Sequence, residues 1–321
     1  IKGPRGRNRM PPSERNQRSN LMLLCRKHHA LIDDKRLEAK YPKAYLLDLK
    51  KSHEKRIYRL AGLLPGNKTT LLRLRSRIGT ETSEIPHEDM HEAILPRYPT
   101  DLQGIDIDLS PLGNSDRPEF WGLAAAQIKD RIGTSFAPGI ASGAIQHVSV
   151  FALAPIPLLV HLGRCLSNKI PAALYQKHRG TEDWHWRPNG KPVRYTFHKL
   201  KSGLDRRRVA MVVSLSGTVP IASLPFDIRT RCSLYQITLA DIRPSPMFLR
   251  RAEDLERFIQ AYHELLSQIQ REHPRATEIH LFAAAPAPIA IACGREILPR
   301  VYPNLVLYDF DKTSKGWNLA L

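Results

Sequence analysis

Two passes of alternating strand-length and helix-length apolar patterns run from residue 105 to the end of this chain. In the first pass, 105–109 reads as a strand, 118–132 as a helix, 147–153 as a strand, 156–167 as a helix and 172–176 as a strand. The second places strands at 209–215 and 234–239, a helix at 252–271, a strand at 278–284, a helix at 287–298 and a last strand at 305–308. Short runs rich in β-branched and aromatic residues mark the strands, and apolar residues every three or four positions mark the helices. Such alternation implies an α/β fold in which parallel strands carry helices on their faces, with ligands bound beyond the strand C-termini.

The two passes also resemble each other residue by residue. FALAPIPLLVHLGR at 151–164 returns as FAAAPAPIAIACGR at 282–295, an ungapped offset of 131 residues. Phe151/Phe282, Ala154/Ala285, Pro155/Pro286, Pro157/Pro288, Gly163/Gly294 and Arg164/Arg295 are identical pairs. Two copies so far apart are not a solenoid, which needs at least about three short stacked units. They indicate a duplicated strand-to-helix crossover packed as a pseudo-symmetric pair around a groove. The four turn prolines have no N–H, so these turns cannot form the amide cradle of a phosphate loop. No G-x-G-x-x-G or G-x-x-x-x-G-K-[ST] occurs elsewhere, which disfavours a dinucleotide dehydrogenase or an NTPase. The small alanines at the turn admit a flat ligand such as a nucleobase.

Upstream, residues 1 to about 19 are rich in Arg, Pro and Ser and read as a loop. A helix begins near Pro42, with Tyr45, Leu46, Leu49, His53, Ile57 and Leu60 on one stripe and Lys50, Lys51, Lys55 and Arg56 opposite. LPGN at 64–67 breaks it. Residues 65–104 carry mixed composition, a brief alternation of Leu72 and Leu74 with Arg73 and Arg75, and Pro86, Pro96 and Pro99. That segment is expected to be a connector between a domain at 1–64 and another at 105–321.

Charge sharpens this picture. The 321 residues hold 49 Lys+Arg against 31 Asp+Glu, a formal charge of +18, which favours a polyanionic partner. A hydrophobic content of 42% is enough for a large core. Cys25, Cys165, Cys232 and Cys293 are scattered rather than paired, so a reducing cytoplasm is expected and a disulfide framework is not. The start, IKGPRGRNR, lacks the apolar core of a signal peptide, and the apolar run 148–162 is too short to span a bilayer. No membrane role is expected.

The densest chemistry lies at NLMLLCRKHHALIDD, residues 20–34. Cys25 and His28 offer two zinc-type ligands at knuckle spacing, and His29 projects about 100° further round a helix. Half a zinc site is a weak signal alone, and a buried cysteine beside two surface histidines is its bland alternative.

This segment resembles the C-terminal half of an HNH endonuclease, a partial ββα-metal fold. Asn20, Leu24, Cys25, His28 and His29 match the later part of the motif, and Gly3, Pro4, Arg5 and Gly6 match the start of its loop. The resemblance implies that Asn20 and His29 are catalytic, with His29 ligating a divalent metal such as Mg²⁺, while Cys25 and His28 form half of a structural Zn²⁺ knuckle. In the family a divalent ion stabilises the phosphodiester charge and a histidine activates water. That histidine would sit just before Ile1 and the other zinc ligands upstream, so this chain is expected to be a shortened version with little nuclease activity of its own. Arg5, Arg7, Arg26 and Lys27, with Arg9, Arg15 and Arg18 near them, are candidates for the backbone of double-stranded DNA.

Residues 105–321 resemble the SAVED domain, two fused CARF-like Rossmann units that sense cyclic oligonucleotides. The F-A-x-A-P-x-P turns, WGLAAAQIK at 121–129, VVSLSGTV at 212–219 and VLYDFD at 306–311 carry the resemblance. Together the two parts resemble the HNH–SAVED effectors of bacterial CBASS anti-phage systems. The implied function is a cytoplasmic endonuclease switched on when a cyclic di- or trinucleotide drives oligomerisation, from dimer to tetramer or higher. The expected ligand contacts are Ala154, Pro155, Ala285 and Pro286 at the strand ends. Ser214, Ser216, Gly217 and Thr218 are expected to bind phosphate or ribose, though a plain turn explains them equally. Tyr175, Trp184 and Trp186 are expected to stack on bases, with both tryptophans exposed on a polar stretch, and Lys129, Arg131, Lys177 and Arg194 to neutralise phosphates. Trp121 reads as core. A non-catalytic nucleotide sensor that binds DNA through a structural zinc knuckle is the competing reading.

Overall fold

A computed structural model of the chain describes residues 11–321 apart from 16, 62–64, 80, 83 and 102. It divides into two compact units, Ile1–Leu64 and Pro65–Leu321.

The smaller unit is helical where described. Helix α1 (Arg26–Asp33) starts immediately after Cys25, and α2 (Lys43–Ala61) follows Pro42 as the sequence pattern predicts. Asp34 accepts from the Arg36 N–H and pairs with its guanidinium at 2.8 Å, closing the turn between the helices.

In the larger unit, a parallel sheet and a mostly parallel one enclose a layer of helices. The first sheet uses β1 (Lys68–Arg75), β2 (Ile105–Asp108), β3 (Val148–Leu153) and β4 (Ala172–Leu174), with a two-residue strand, Tyr98–Pro99, beside the start of β1; β2 and β3 flank β1, and β4 lies outside β3. Helices α3 (Pro118–Arg131) and α4 (Ile156–Leu166) belong to this half. The second sheet uses β5 (Tyr195–Lys201), β6 (Arg208–Ser214), β7 (Ser233–Leu239), β8 (Glu278–Ala284), β9 (Asn304–Asp311) and β10 (Gly316–Leu319), in the spatial order β10-β9-β8-β6-β7-β5. Its four inner strands are parallel, while β5 and β10 close the edges antiparallel. Helices α5 (Ala252–Glu272) and α6 (Ala287–Arg295) complete the second half.

The segment expected to connect domains does something else. Residues 68–75 form the strand between β2 and β3, buried at Leu71, Leu72 and Leu74. Its two arginines are matched rather than solvated. Arg73 pairs with Asp106 at 2.7 Å and Arg75 with Asp108 at 3.0 Å, each directly opposite in the β1–β2 register.

Side-chain alternation then decides what each sheet buries. Leu72 and Leu74 on β1 and Val148, Val150 and Ala152 on β3 face the central layer, as do Val209, Met211 and Val213 on β6 and Leu305 and Leu307 on β9. The opposite faces carry their own clusters: Phe151, Tyr175 and Trp184 on one side, Phe282, Ile228 and Trp317 on the other. Burying both faces explains the near-continuous apolar runs of the inner strands.

The repeat is the hinge of this architecture. Helices α4 and α6 cross in the central layer, where Gly163 abuts the Ile291 carbonyl and Gly294 abuts the Val160 carbonyl. A Cβ on either glycine would overlap those main-chain oxygens. Both the glycines and their contact partners are equivalent positions of the repeat, so the two crossovers meet about a local two-fold axis.

Candidate functional site

The C-terminal ends of the equivalent strands β3 and β8 reach the same cavity. There Ala154 and Pro155 stand beside Ala285 and Pro286, and the chain turns into α4 and α6. Small side chains at this double turn leave a cavity of about 1330 Å³. That exceeds the roughly 300–1,000 Å³ of pockets for drug-sized ligands, so there is room for several linked units.

Its walls come from both halves. The first half supplies Arg117 and Trp121 at the start of α3, Leu159 of α4, and Gln176, Lys177 and Arg179 beyond β4. The second supplies Ser216, Ala284, Ala287, and the β9–β10 hairpin with Asp309, Phe310, Asp311 and Lys312. The N-termini of α4 and α6 open onto the cavity, as does that of α3, each carrying the partial positive charge of its dipole. Proline at the second helical position (Pro157, Pro288) leaves the Ile156 and Ala287 N–H groups as the leading donors of each first turn.

The charged lining is close to balanced. Arg117, Lys177, Arg179 and Lys312 share the walls with Glu84, Asp116, Glu182, Asp309 and Asp311, and Lys177 pairs with Glu182 at 3.1 Å. Asp309 stands apart: it makes no ion pair among the described residues, and burial together with the nearby Asp311 carboxylate pushes its pKa up to about 6, against the Phe310 N–H that donates to it.

Residues 128–321 match the family model of the SAVED domain, described as the SMODS-associated and fused to various effectors sensor domain. The chain belongs to the SAVED family. Similar solved structures include the Acinetobacter baumannii Cap4 SAVED/CARF-domain containing receptor with the cyclic trinucleotide 2′3′3′-cAAA, at 14% identity and a TM-score of 0.49 over 94% of this chain and 62% of that one. The same receptor with 3′3′3′-cAAA gives 14% identity and a TM-score of 0.47 over 78% and 51%. The Moraxella osloensis Cap4 receptor gives 14% and 0.42 over 78% and 49%. This chain thus spans about half to three-fifths of the length of those receptors. No curated protein matches it.

The family match begins within α3, so β1 and β2, which complete the first sheet, and most of α3 lie outside the matched residues. Among the residues expected to contact ligand, Ala154, Pro155, Lys177, Ser216, Ala285 and Pro286 line the cavity. The others do not. Trp184 is fully buried and packs edge-on against Phe151 at 5.2 Å, and Tyr175 stacks on the same ring at 4.4 Å. Trp186 is half-buried with its edge toward His178. The polar residues around the two tryptophans satisfy the loop itself, since Asp183 accepts from the His185 N–H and from Arg187, so the polarity of the stretch did not mean exposure.

Lys129 and Arg131 are exposed at the far end of α3. The helix enters at the cavity with Arg117, and twelve residues at 1.5 Å rise carry Lys129 about 18 Å along the axis. Arg194 is committed to Asp241 at 2.6 Å. The Ser214 hydroxyl accepts from the Val219 N–H and from Gln236, and the Ser216 N–H donates to Ala284, so this turn spends its polar groups internally. Gly217 and Thr218 lie beyond it, off the lining. Trp121, read as core, is buried yet also presents an edge to the cavity. Phe310, which the sequence reading passed over, is a partly exposed ring on the wall; its place at the end of β9 was the available signal.

In the smaller unit, Asn20 donates to the Arg15 carbonyl at 3.2 Å, and His29 meets Asp33 at 3.3 Å one turn along α1. Arg26 and Lys27 are exposed at its start, whereas Arg5 and Arg7, with Gly3, Pro4 and Gly6, lie outside the described residues. The Cys25 thiol and His28 Nδ1 are 3.0 Å apart, and hydrogen bonds from His28 hold the thiol below its ordinary pKa. A soft, readily deprotonated thiol beside an imidazole suits zinc, but among the described residues no third ligand joins any such pair. These residues alone do not complete a metal centre.

Proposed function

We propose that the SAVED unit is a receptor for a cyclic di- or trinucleotide and that its ligand occupies the cavity between Ala154–Pro155 and Ala285–Pro286. The observation that carries this reading is the meeting of two equivalent strand-to-helix turns at one cavity, in a chain that belongs to a sensor-domain family. Two like turns suit a ligand built of repeated nucleotide units. The alanines accommodate flat bases, and the helix N-termini favour phosphates.

The response is proposed to be assembly into a homo-oligomer that activates cleavage of double-stranded DNA in bacterial anti-phage defence. The HNH-like pattern of Asn20, Cys25, His28 and His29 supports the nuclease part, as do the +18 charge and the exposed Arg26 and Lys27. A divalent ion such as Mg²⁺ would supply charge stabilisation at the phosphodiester when bound. The test is plasmid cleavage by the protein with Mg²⁺, with and without cyclic oligonucleotide. Cutting that requires the ligand and disappears in His29→Ala supports the reading; cutting that survives this substitution removes His29 from it.

The Cys25–His28 pair, joined by no third ligand among the described residues, favours a second reading, a nucleotide-sensing DNA-binding regulator with a structural zinc knuckle. Ligand-driven assembly without cleavage under any divalent metal would select it.

A further inference from the structure

The strand register extends the repeat beyond its legible sequence. Val150 and Leu281 are equivalent positions; Val150 pairs with Leu174 on β4 and Leu281 pairs with Leu307 on β9. Leu174 and Leu307 are therefore equivalent, and two residues further along the same faces stand Gln176 and Asp309. No sequence identity links these two residues.

Both line the cavity: Gln176 carries an unpartnered amide oxygen, and Asp309 a carboxylate with no ion-pair partner among the described residues. Gln176 Nε2 donates to the Lys177 carbonyl at 2.6 Å, which turns the amide so that a buried Oε1 is left with no partner among the described residues. Asp309 continues the face on which Leu305 and Leu307 enter the central core, so a carboxylate occupies the position where the alternation calls for an apolar side chain. It has the Phe310 N–H and, among the described residues, no cation paired with it. A buried acceptor left unmatched is costly, and an uncompensated carboxylate repels phosphate. Two such groups at equivalent places in one cavity make sense if the ligand brings donors to them.

Building on the receptor reading above, we propose that Asp309 and Gln176 are specificity-determining residues that read the donor edges of two nucleobases, with Asp309 selecting a base that offers two adjacent N–H donors, as guanine does. A carboxylate accepts two parallel hydrogen bonds from the guanine N1–H and N2–H groups, whereas adenine offers only its exocyclic amine. A site built around such a pair discriminates strongly against a base lacking one donor.

The experiment is isothermal titration of the chain and of its Asp309→Asn variant with cyclic diguanylate and cyclic diadenylate, alongside cyclic triadenylate. The expected result is that the guanine ligand binds the unaltered chain more tightly and loses about tenfold or more in the variant, with adenine ligands changing little. Equal loss for all ligands, or no loss for the guanine ligand, overturns the role of Asp309 while leaving the receptor reading intact. Absence of binding by any cyclic oligonucleotide overturns both. The thermal midpoint of unliganded Asp309→Asn keeps the result interpretable, since a variant as stable as the parent has not lost the site through unfolding.

Discussion

Gly163 and Gly294 sit in two-fold-related positions across the α4–α6 crossing, each facing the main chain three residues before the other, at Ile291 and Val160. The repeat therefore marks a packing constraint as well as a duplicated turn, and the same crossing fixes the two turns side by side at the cavity.

Alanine at either glycine should disrupt that crossing. The added Cβ meets carbonyl oxygens of a helix backbone, which cannot swing aside as a side chain can. A loss of about 1–3 kcal/mol or more is expected for Gly163→Ala and for Gly294→Ala. Gly217→Ala, where nothing lies within 4 Å, is the control that should stay near zero. Thermal unfolding of the three variants checks this.

Asp309 gives stability a specific pH dependence. Its folded pKa of about 6 lies above the ordinary carboxyl value of 3.8, so the folded chain holds the proton more tightly. The contribution is favourable at low pH and is lost as pH rises from about 4 through 6. Relative to Asp309→Asn, the parent should lose about 1–3 kcal/mol between pH 4 and pH 7.5. Urea unfolding of both proteins at the two pH values measures the difference; parallel curves would contradict it.

Trp184 should behave as a core residue. Its burial against Phe151 predicts that Trp184→Ala costs about 3–5 kcal/mol of stability. Trp184→Phe, if folded, should retain ligand affinity. A large affinity loss in a stable Trp184→Phe would restore the stacking role.

The cysteines should separate by reactivity. Cys25 is exposed with a lowered pKa, whereas burial raises Cys165, raises Cys232 to about 11 and raises Cys293 further. At pH 8, iodoacetamide should label Cys25 first, more slowly in His28→Ala, and Zn²⁺ should protect it. Uniform labelling of all four would contradict the assigned environment.

How much of this was legible depended on whether a residue's partner was near in sequence. The inner strands and central helices were readable because both faces of the sheets are buried, which writes long apolar runs into the chain. Strand β1 was hidden because Arg73 and Arg75 find their counter-charges on Asp106 and Asp108, about thirty residues away. The edge strand β5, sequence YTFHKLK, was missed since its half-buried positions blur the alternation. In the site, the double turn was visible through its repeated alanines and prolines. Asp309 and Gln176 were not, because their equivalence exists only in the strand register.

The central claim is that the cavity between the two copies holds the activating nucleotide, and a thermal-shift screen of cyclic di- and trinucleotides tests it most directly. For the unaltered chain at about 100 times Kd, a bound species should raise the midpoint by about 5 °C or more. In Ala285→Trp, whose indole would fill the double turn, the same species should give no shift. A panel that leaves the unaltered chain unmoved, or a shift that persists in a folded Ala285→Trp, would contradict the account.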